Sequence, residues 1–311
     1  MKASIIITTR NRAGLLSQRS LPSAINQTSA DYEIIVVDDN SEDYTEESVV
    51  LITSMVIKRD FIRYIKYDSG RNLSKLRNKG IKEARGEYVV CLDDDDELVP
   101  QFLEWTIPLL DTHPEYQGVS GGRTTIYPEG SVYDPPRDFE KPYASIDDGF
   151  LLRKSIFDKI QYDENLPTDE DADFGIQFIR SGFKMAYLGA PLLKKYGHSV
   201  RQSGSFSHPT EWRLNGLKKY IEKNEEYFIE HKSKDDLEYF WRYAGRTFCW
   251  GGWMKEGRHY LRLARGVRFT PRITLYLIMS YGGKKVFGFY YWLETFIIRK
   301  MRICKQKIKS A

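Results

Sequence analysis

Four consecutive aspartates follow a short apolar segment and could hold a metal ion. Residues 87–92 read EYVVCL, and Asp93, Asp94, Asp95 and Asp96 come directly after them. A β-branched, apolar run of this length is typical of a buried strand, and the ligands of open α/β sheets bind at the carboxyl ends of strands. Adjacent carboxylates repel one another unless a positive charge lies among them. The segment therefore predicts a divalent cation at a sheet edge.

Two other interpretations of the aspartates are open. An EF-hand-type calcium loop also places acids at positions 1, 3, 5 and 12, which here would be Asp93, Asp95, Glu97 and Glu104. That loop requires glycine at position 6 for its sharp turn, and Leu98 stands there. An acidic run can also simply solvate a turn. The strand that leads directly into the run favours the metal site.

A second group of acids lies far from the first in the sequence. Residues 168–174 read TDEDADF, and apolar residues at helical spacing follow as far as Gly182, which predicts a helix entered from a polar loop. Thr168 and Asp171 could form a capping box, with the acids favoured by the helix dipole. Alternatively, one of these carboxylates could act as a general base.

Strands and helices alternate through the first third of the chain. The patterns predict strands over 4–9, 32–37, 61–67 and 87–92, with helices around 15–25, over 42–56 and over 73–84. We expect Pro22 to kink the first helix and Gly86 to stop the third. This alternation predicts the fold class α/β, with a doubly wound, mostly parallel sheet.

The order of these segments resembles the inverting, nucleotide-sugar-dependent glycosyltransferases of the GT-A type, the large group called family two. The resemblance rests on the segments 4–12, 35–41, 77–81, 84–88 and 92–96, the last of which resembles the family's D-x-D motif. Each motif is common by itself, but their order and their separations are specific. The resemblance extends over residues 3–205.

The resemblance implies a nucleotide site at the ends of the first two strands. Asp39 matches the aspartate that accepts a hydrogen bond from the nucleotide base, and a carboxylate, which only accepts, suits an N–H edge. Thr8 and Arg10 match residues that contact the nucleoside, although a strand-end turn would contain the same residue types. Arg77 matches a basic residue near the diphosphate. A helix-surface arginine paired with a glutamate is the alternative for Arg77.

The resemblance also assigns roles to the aspartates. Asp95 matches the direct metal ligand, Asp93 lies toward the ribose, and Asp94 joins the nucleotide-binding candidates. Mn²⁺ or Mg²⁺ is the expected cofactor, because hard oxygen ligands and substrate phosphates suit these ions. Such an ion neutralises the negative charge that develops on a nucleoside diphosphate leaving group.

Glu170 and Asp171 match the family's E-D motif. The resemblance makes Asp171 the general base, which takes the proton of the acceptor hydroxyl on the face opposite the leaving group, and Glu170 a secondary candidate. His198 matches the family's histidine loop and is a candidate metal ligand, although a lone histidine is more often packed or solvated. The Q-x-x-R-W motif of processive synthases is absent, because SGSF follows Gln202. Single sugar addition is therefore favoured over polymerisation.

We predict two domains. Residues 1–208 form the GT-A domain, with a nucleotide-binding half over 1–100 and an acceptor and catalytic half over 101–208. In the second half, residues 118–127 predict a strand, and the proline-rich segment 128–148 predicts irregular structure. Residues 209–311 form a helical extension, in which aromatic side chains at helical spacing predict a packed core.

Charge is distributed unevenly along the chain. The net charge is +4, but residues 255–311 carry 14 Lys/Arg against 2 Asp/Glu, whereas residues 1–254 carry 33 against 41. Apolar and aromatic segments alternate with the basic residues near the end, a composition that suits an anionic membrane surface. A helical pair packed on the domain is the alternative. Nucleic acid is disfavoured, because no nucleic-acid motif accompanies the charge.

The resemblance implies a glycosyltransferase that moves a sugar from a nucleotide donor, in the first place a UDP-sugar, to a glycan or lipid-linked acceptor. Three scattered cysteines and a start without a signal-peptide pattern predict the cytoplasm, with a peripheral position at the inner face of the cell membrane. A nucleotidyltransferase of similar architecture is one rival. Such enzymes usually have a glycine-rich loop with Lys or Arg after the first strand, whereas residues 8–14 contain a single glycine, which disfavours this alternative. A membrane-associated scaffold without chemistry is the other, and intact Asp39, Asp95 and Asp171 disfavour it.

Overall fold

The computed structural model describes residues 1–29, 31–56, 61–136, 145–197 and 210–310, with side chains described as far as residue 304. These residues divide into two compact units. The sheet unit contains the described residues up to 136 together with 145–165 and 170–197, and the helical unit contains 166–169 and 210–310. All the strands described belong to the sheet unit.

Nine strands form one sheet in the described part of the sheet unit. They are β1 (Ala3–Thr9), β2 (Tyr32–Asp38), β3 (Ile62–Lys66), β4 (Tyr88–Asp93), β5 (Glu97–Leu98), β6 (Gly118–Tyr127), β7 (Gly130–Asp134), β8 (Phe150–Arg153) and β9 (Met185–Tyr196). Their order is β3-β2-β1-β4-β8-β6-β9-β5, with β7 paired to β6. The pairs among β1, β2, β3 and β4 are parallel, as is β6 with β9, whereas β8, β7 and β5 pair antiparallel.

The first strands are covered on both faces. Every residue of β1 and of β2 is buried, which explains why both read as unbroken apolar runs. Successive side chains of a strand point to opposite faces, and accordingly Ile5 and Ile7 belong to one apolar cluster, whereas Ile6 belongs to a second. The predicted doubly wound α/β architecture is confirmed.

Six helices of the sheet unit flank these strands in the described residues. They are α1 (Ala13–Leu15), α2 (Leu21–Ile25), α3 (Thr45–Met55), α4 (Leu73–Glu83), α5 (Phe102–Thr112) and α6 (Glu170–Arg180). A π-helical turn over Leu16–Ser20 joins α1 to α2. The π-helical turn lies directly before Pro22, which is in the first turn of α2, so the helix is irregular near this proline, whose ring removes an N–H from the helical ladder.

Gly86 does not end the third predicted helix. Helix α4 ends at Glu83, and Ala84 is already extended, with ψ of 136°. A Cβ atom on Gly86 would lie 2.5 Å from the carbonyl carbon of Ala3, so this glycine permits the chain entering β4 to approach β1. The sequence predicted that this glycine ends a helix, whereas in the structure it is required because a larger side chain would clash with β1.

The segment 128–148, predicted to be irregular, contains a strand. Residues of β7 pair antiparallel with β6, and Val132 between them is buried. Pro128 precedes this strand and Pro135 follows it, so neither proline removes a hydrogen-bond donor from the ladder. The prolines thus mark the ends of a hairpin strand.

The helical unit contains five helices in its described part. They are α7 (Glu211–His231), α8 (Lys234–Gly251), α9 (Met254–Val267), α10 (Pro271–Tyr281) and α11 (Gly283–Ser310). Ser233 and Asp236 form a capping box at the start of α8, and Gly252 ends that helix in the left-handed conformation with φ of 99°. The predicted helices after residue 210 are confirmed.

Aromatic side chains form the interior of the helical unit, as predicted. The rings of Phe228 and Phe240 stack with centroids 4.1 Å apart, and Phe248 stacks on Tyr260 at 5.5 Å. Such pairs add stabilisation beyond their buried area. Of the helices that the structure describes, none has both the length and the apolar composition needed to cross a bilayer.

Candidate active site

The carboxyl ends of three parallel strands meet at one edge of the sheet. In the strand register, Thr8 of β1 lies between Val37 of β2 and Asp93 of β4. Arg10, Asp39 and the aspartates after Asp93 follow these strand ends directly. Three of the predicted site segments are therefore neighbours in space, as expected for ligands of a parallel sheet.

Asp39 lies at the centre of a dense hydrogen-bond network. Its Oδ1 accepts from the backbone N–H of Ser69 at 2.8 Å and from the Ser69 hydroxyl at 2.7 Å. Its Oδ2 accepts from the backbone N–H of Arg71 and from Nη1 of Arg10, each at 3.1 Å. Burial alone would raise the pKa of Asp39, but the hydrogen bonds from Ser69 and Arg10 outweigh it and lower the pKa. Asp39 is held as a buried carboxylate.

The backbone around Asp39 adopts unusual conformations. Four described residues other than glycine have positive φ, and three of them surround Asp39: Asn11 at 50°, Asn40 at 51° and Arg71 at 64°. Such conformations cost free energy and persist where the surroundings impose them, often at functional sites. Asn11 is fixed by a bond from its backbone N–H to the Ser41 hydroxyl at 2.8 Å. The loops that surround Asp39 are therefore closely specified.

Arg12 binds two of the four aspartates. Its Nη1 lies 2.9 Å from Asp94 Oδ1 and 3.0 Å from Asp95 Oδ2. Asp94 also accepts from the Thr9 hydroxyl at 2.8 Å and is buried. Asp94 thus connects the end of β1 to the acidic segment, and the predicted metal ligand Asp95 faces a guanidinium.

Arg77 joins the two acidic segments. This arginine of α4 is only 2% exposed, and its guanidinium lies 3.2 Å from Asp93 Oδ1 and 3.0 Å from Glu170 Oε1. It also lies over the ring of Tyr162, 5.1 Å from the centroid. Burial would lower the pKa of Arg77, but the charges of Asp93 and Glu170 raise it well above its usual value. The alternative of a helix-surface arginine is excluded by this burial.

A third group of acids combines two aspartates of the D-x-D segment with Asp148. One carboxylate oxygen from each of Asp93, Asp96 and Asp148 falls within 4.8 Å of the others. Lys195 of β9 extends into this group, with Nζ at 2.6 Å from Asp148 and 3.1 Å from Asp96. It also lies 3.6 Å from Asp147. A single ammonium group thus partly neutralises several buried acids.

The charges of this group perturb one another. Burial and the neighbouring charge of Asp148 raise the pKa of Asp96 to about 9. The same causes raise the pKa of Asp93 to about 6. Burial opposes the charge of Lys195, but the surrounding carboxylates raise its pKa well above the usual value. Fully ionised, the group would carry more negative charge than Lys195 alone compensates, and the raised pKa of Asp96 therefore favours its protonated form at neutral pH.

A hard divalent cation fits the chemistry of this group. All its donors are carboxylate oxygens, which Mg²⁺ and Mn²⁺ prefer. Moreover, Asp148 Oδ2 is buried without a hydrogen-bond partner, an arrangement that is costly unless a ligand satisfies it. Within the described residues, the predicted ligand Asp95 lies outside this group and is bound by Arg12.

The predicted base lies at the start of α6. Helix α6 begins at Glu170, so Asp169, with φ of 60°, precedes it directly. Asp171 is half-buried, and its carbonyl accepts from the N–H of Ile146 at 3.0 Å. Glu170, one residue earlier, bonds Arg77. His198 falls outside the described residues.

Sequence reasoning missed several residues of this site. Asp148, Lys195 and Arg12 were not candidates, yet all contact the acidic segments, and Asp96 was named only as one of the four aspartates, without a role of its own. The pair Asp147–Asp148 before a glycine repeats the pattern of acids at a turn, a signal that could have been used. Lys195 carries no comparable signal, because it lies about one hundred residues from Asp96 along the chain.

A comparison with protein families identifies the group to which this chain belongs. The sequence profile described as glycosyl transferase family 2 matches residues 4–180, more than half of the chain. The chain belongs to glycosyl transferase family 2. Its activity as a glycosyltransferase, and the resemblance of its motifs to that family, are thereby confirmed.

Individual relatives cover parts of the chain. An uncharacterized glycosyltransferase of Methanocaldococcus jannaschii is 26% identical over 202 residues, which span 61% of this chain and 69% of that protein. The poly(ribitol-phosphate) beta-N-acetylglucosaminyltransferase TarP of Staphylococcus aureus is 33% identical over 198 residues, 57% of each chain. The GalNAc(5)-diNAcBac-PP-undecaprenol beta-1,3-glucosyltransferase of Campylobacter jejuni is 42% identical over 101 residues, 32% of this chain and 31% of that one. The chain thus spans about half or less of the last two relatives.

Solved structures share the fold. TarS 1–349 of S. aureus in complex with UDP-GlcNAc superposes with a TM-score of 0.57 at 17% identity, over 90% of this chain and 91% of that one. The structure of GalNAc-T7 with UDP, GalNAc and Mn²⁺ superposes with a TM-score of 0.59 at 13% identity, over 80% of this chain and 50% of that one. These likenesses show the fold alone, and they confirm the predicted GT-A architecture.

Proposed function

We propose that this glycosyltransferase moves one sugar from a UDP-sugar to a saccharide or lipid-linked glycan, with inversion at the sugar carbon. The buried Arg77 guanidinium carries the proposal, because it bonds Asp93 of the D-x-D segment and Glu170 of the E-D segment. An inverting displacement requires charge stabilisation at the leaving group and a base on the opposite face. One buried arginine between the two acidic segments supports their assignment to one site.

The donor nucleotide would occupy the ends of β1 and β2. Asp39 would accept a hydrogen bond from the base N–H, with Thr8 and Arg10 beside the nucleoside. A carboxylate has room for about four hydrogen bonds, and four protein donors already use those of Asp39. Arg10 donates from the end of a long side chain, whereas the other donors are two backbone N–H groups and the Ser69 hydroxyl, so Arg10 is the one that would yield to the base.

The reaction would proceed between the two acidic segments. Asp171 would remove the proton of the acceptor hydroxyl, and Glu170 would hold Arg77 near the diphosphate. Asp93 and Asp94 would lie toward the ribose. Asp171 and the aspartates at the end of β4 come from segments far apart in sequence. This separation suits a base on one face of the sugar and a metal site at the leaving group.

The expected cofactor is Mn²⁺ or Mg²⁺, held by carboxylates at the end of β4. Asp95 is the ligand that the D-x-D motif predicts, Asp96 and Asp148 offer further oxygens near Asp93, and His198 stays a candidate. When bound, such an ion stabilises negative charge on the diphosphate leaving group. The chain itself holds these acids together against their repulsion through Lys195, Arg12 and Arg77.

The names of relatives support this substrate class. TarP is named for transfer of N-acetylglucosamine to poly(ribitol-phosphate), and the C. jejuni relative for glucosyl transfer to a polyprenyl-diphosphate-linked saccharide. TarS binds UDP-GlcNAc. By extension, we assign the chemistry to residues 1–208 and propose that residues 209–311 hold the enzyme at the inner face of the membrane, where a lipid-linked acceptor is presented.

Calorimetric titration with UDP, with and without Mn²⁺, tests the donor site. We expect binding that Mn²⁺ strengthens, because the diphosphate and the carboxylates share the ion. Asp95→Ala should reduce the affinity in Mn²⁺ to its metal-free value while the far-UV spectrum is unchanged. Asp148→Asn is the comparison that tests the group of Asp93, Asp96 and Asp148.

The outcomes separate the alternatives. Loss of the Mn²⁺ effect in Asp95→Ala alone supports the D-x-D assignment, whereas loss in Asp148→Asn alone moves the cation to the group of Asp93, Asp96 and Asp148. Absence of UDP binding in the wild type contradicts the proposal and favours the scaffold alternative. Formation of UDP-sugar from UTP and a sugar phosphate would instead indicate a nucleotidyltransferase.

A further inference from the structure

Helix α11 has an apolar stripe on its outer side. Val286, Phe289, Leu293, Phe296 and Ile297 recur at spacings of three and four residues, which place them on one face of a helix. Their exposed fractions are 46%, 65%, 37%, 37% and 47%. Trp292, at the border of the same face, is 46% exposed. We call these six residues the α11 stripe.

The opposite side of α11 already has its packing partners in the helical unit. Phe287 is fully buried, and its ring lies 5.8 Å from that of Tyr276 in α10. Glu294 forms an ion pair with Arg272 at 2.8 Å and accepts a hydrogen bond from the hydroxyl of Tyr276. Packing within the helical unit therefore accounts for this side of α11 and leaves the α11 stripe exposed.

Basic residues border the stripe at both ends. Lys284 and Lys285 precede it, and Arg299, Lys300 and Arg302 follow it, all within α11. Lys300 Nζ lies 5.7 Å from the centroid of the Phe296 ring. Residues 283–310 contain eight Lys/Arg and one acid, Glu294, and that acid lies on the packed side.

This combination selects the partner. A second copy of the same stripe would bring two sets of positive charges together, which is unfavourable. A polyanion such as nucleic acid would pair with the charges but would leave the apolar rings in water. An anionic bilayer surface satisfies both, because aromatic side chains favour the interface and each basic residue gains attraction from the lipid headgroups.

We propose that the α11 stripe docks on an anionic lipid surface, with the helix axis in the plane of the interface. Charged residues within the helix, among them Glu294 and Arg299, make a position across the hydrocarbon costly. The inference deepens the proposed placement at a membrane and names the surface responsible. It needs no donor or acceptor, so it can be tested apart from sugar transfer.

Cosedimentation of the full chain with vesicles tests the docking. We expect binding to vesicles of phosphatidylcholine with about one third phosphatidylglycerol and weak binding to phosphatidylcholine alone. Binding to the anionic vesicles should decline as the salt concentration rises. The double variant Phe289→Ser/Leu293→Ser should lower the partition coefficient by at least about tenfold, the size expected for two large apolar side chains.

A matched control comes from α3 in the sheet unit. Leu51 and Met55 are also exposed apolar residues four positions apart on a helix, and Leu51→Ser/Met55→Ser should bind vesicles as the wild type does. Lys284→Gln/Lys285→Gln should lower binding to the anionic vesicles while binding to phosphatidylcholine alone is unchanged. Circular dichroism and thermal melting verify that every variant is folded.

Three results would overturn the proposal. They are no binding to anionic vesicles, equal binding to both vesicle types, and unchanged binding of the stripe variant. A wild-type dimer that Phe289→Ser/Leu293→Ser converts to monomers would assign the stripe to a second copy. UDP titration of the same samples separates the two hypotheses, because vesicle binding with no UDP binding contradicts only the proposed chemistry.

Discussion

Asp171 is the residue whose role can be separated most cleanly from donor binding. We expect Asp171→Asn to bind UDP as the wild type does but to lose sugar transfer by a factor of about 10² to 10⁴, the range for removal of a general base. Titration gives the affinity, and turnover with a UDP-sugar that the wild type uses gives the rate. Glu170→Gln provides the contrast, because loss of the negative charge that holds Arg77 should weaken donor binding. Near-normal turnover of Asp171→Asn would return this residue to helix capping.

Asp39 gives a prediction for pH dependence. Its pKa is lower in the folded protein than in the unfolded chain, so its stabilising contribution is complete above the unfolded value near 4 and is lost as the pH falls through the folded value. At neutral pH, Asp39→Asn should lower the free energy of unfolding by about 2 kcal/mol, because buried donors lose a charged acceptor.

Urea unfolding of both proteins between about pH 7 and pH 2 measures this difference, which should stay constant down to about pH 4 and shrink below it. Asp31→Asn is the control, because Asp31 has an exposed side chain. Among the residues that the structure describes, its only ion pair is with the amino group of Met1. A difference between wild type and Asp39→Asn that stays constant with pH would show that the charge of Asp39 is not the stabilising feature.

Site residues could be predicted where motifs identified them, and not where only the tertiary structure brings them together. Asp93 and Arg77 were candidates, and they lie in contact. Lys195 was not, because its role depends on the parallel pairing of β9 with β6 and on the position of Asp148. Nothing in a strand sequence distinguishes a partly buried lysine among acids from a lysine at a strand edge.

At the scale of elements, Gly86 tests the contact between the start of β4 and β1. The Cβ of Gly86→Ala would lie 2.5 to 2.8 Å from backbone atoms of Ala3 and Ser4, which cannot rotate away. We expect the free energy of unfolding to fall by about 3 kcal/mol, the upper part of the range for overpacking.

Gly14→Ala is the control for this substitution. Gly14 lies in helix α1 with no atom within 4 Å of a Cβ, so alanine there should stabilise the protein by about 0.5–1 kcal/mol. Urea midpoints compare the two variants. Equal midpoints would show that β4 and β1 can separate at no cost, against the close approach that the structure describes.

Elements that carry their own periodicity were predicted, and those defined by pairing were not. Strands β1, β2 and β4 read directly as apolar runs. Strands β7 and β8 are short and depend on β6 as a neighbour, so their sequences alone do not indicate a strand. Helix α5 was also missed, since Pro108 lies within it and proline normally argues against a helix interior.

For the molecule as a whole, sequence similarity and fold similarity have different extents. The family profile ends at residue 180, whereas the likeness to TarS covers 90% of the chain. Helices α7 to α11 therefore lie outside the family profile, and their surface chemistry is the evidence for what they do. The role of the α11 stripe therefore follows from its exposure and from the charges that border it.

The shared guanidinium of Arg77 has a consequence for the order of events in a reaction cycle. A ligand that draws Asp93 toward itself leaves Arg77 bonded mainly to Glu170, next to the residue that would receive the acceptor's proton. Occupancy of one substrate site then changes the affinity of the other, and by thermodynamic reciprocity the two changes are equal. The two substrates would then bind interdependently rather than independently, with Arg77 as the side chain that links their sites.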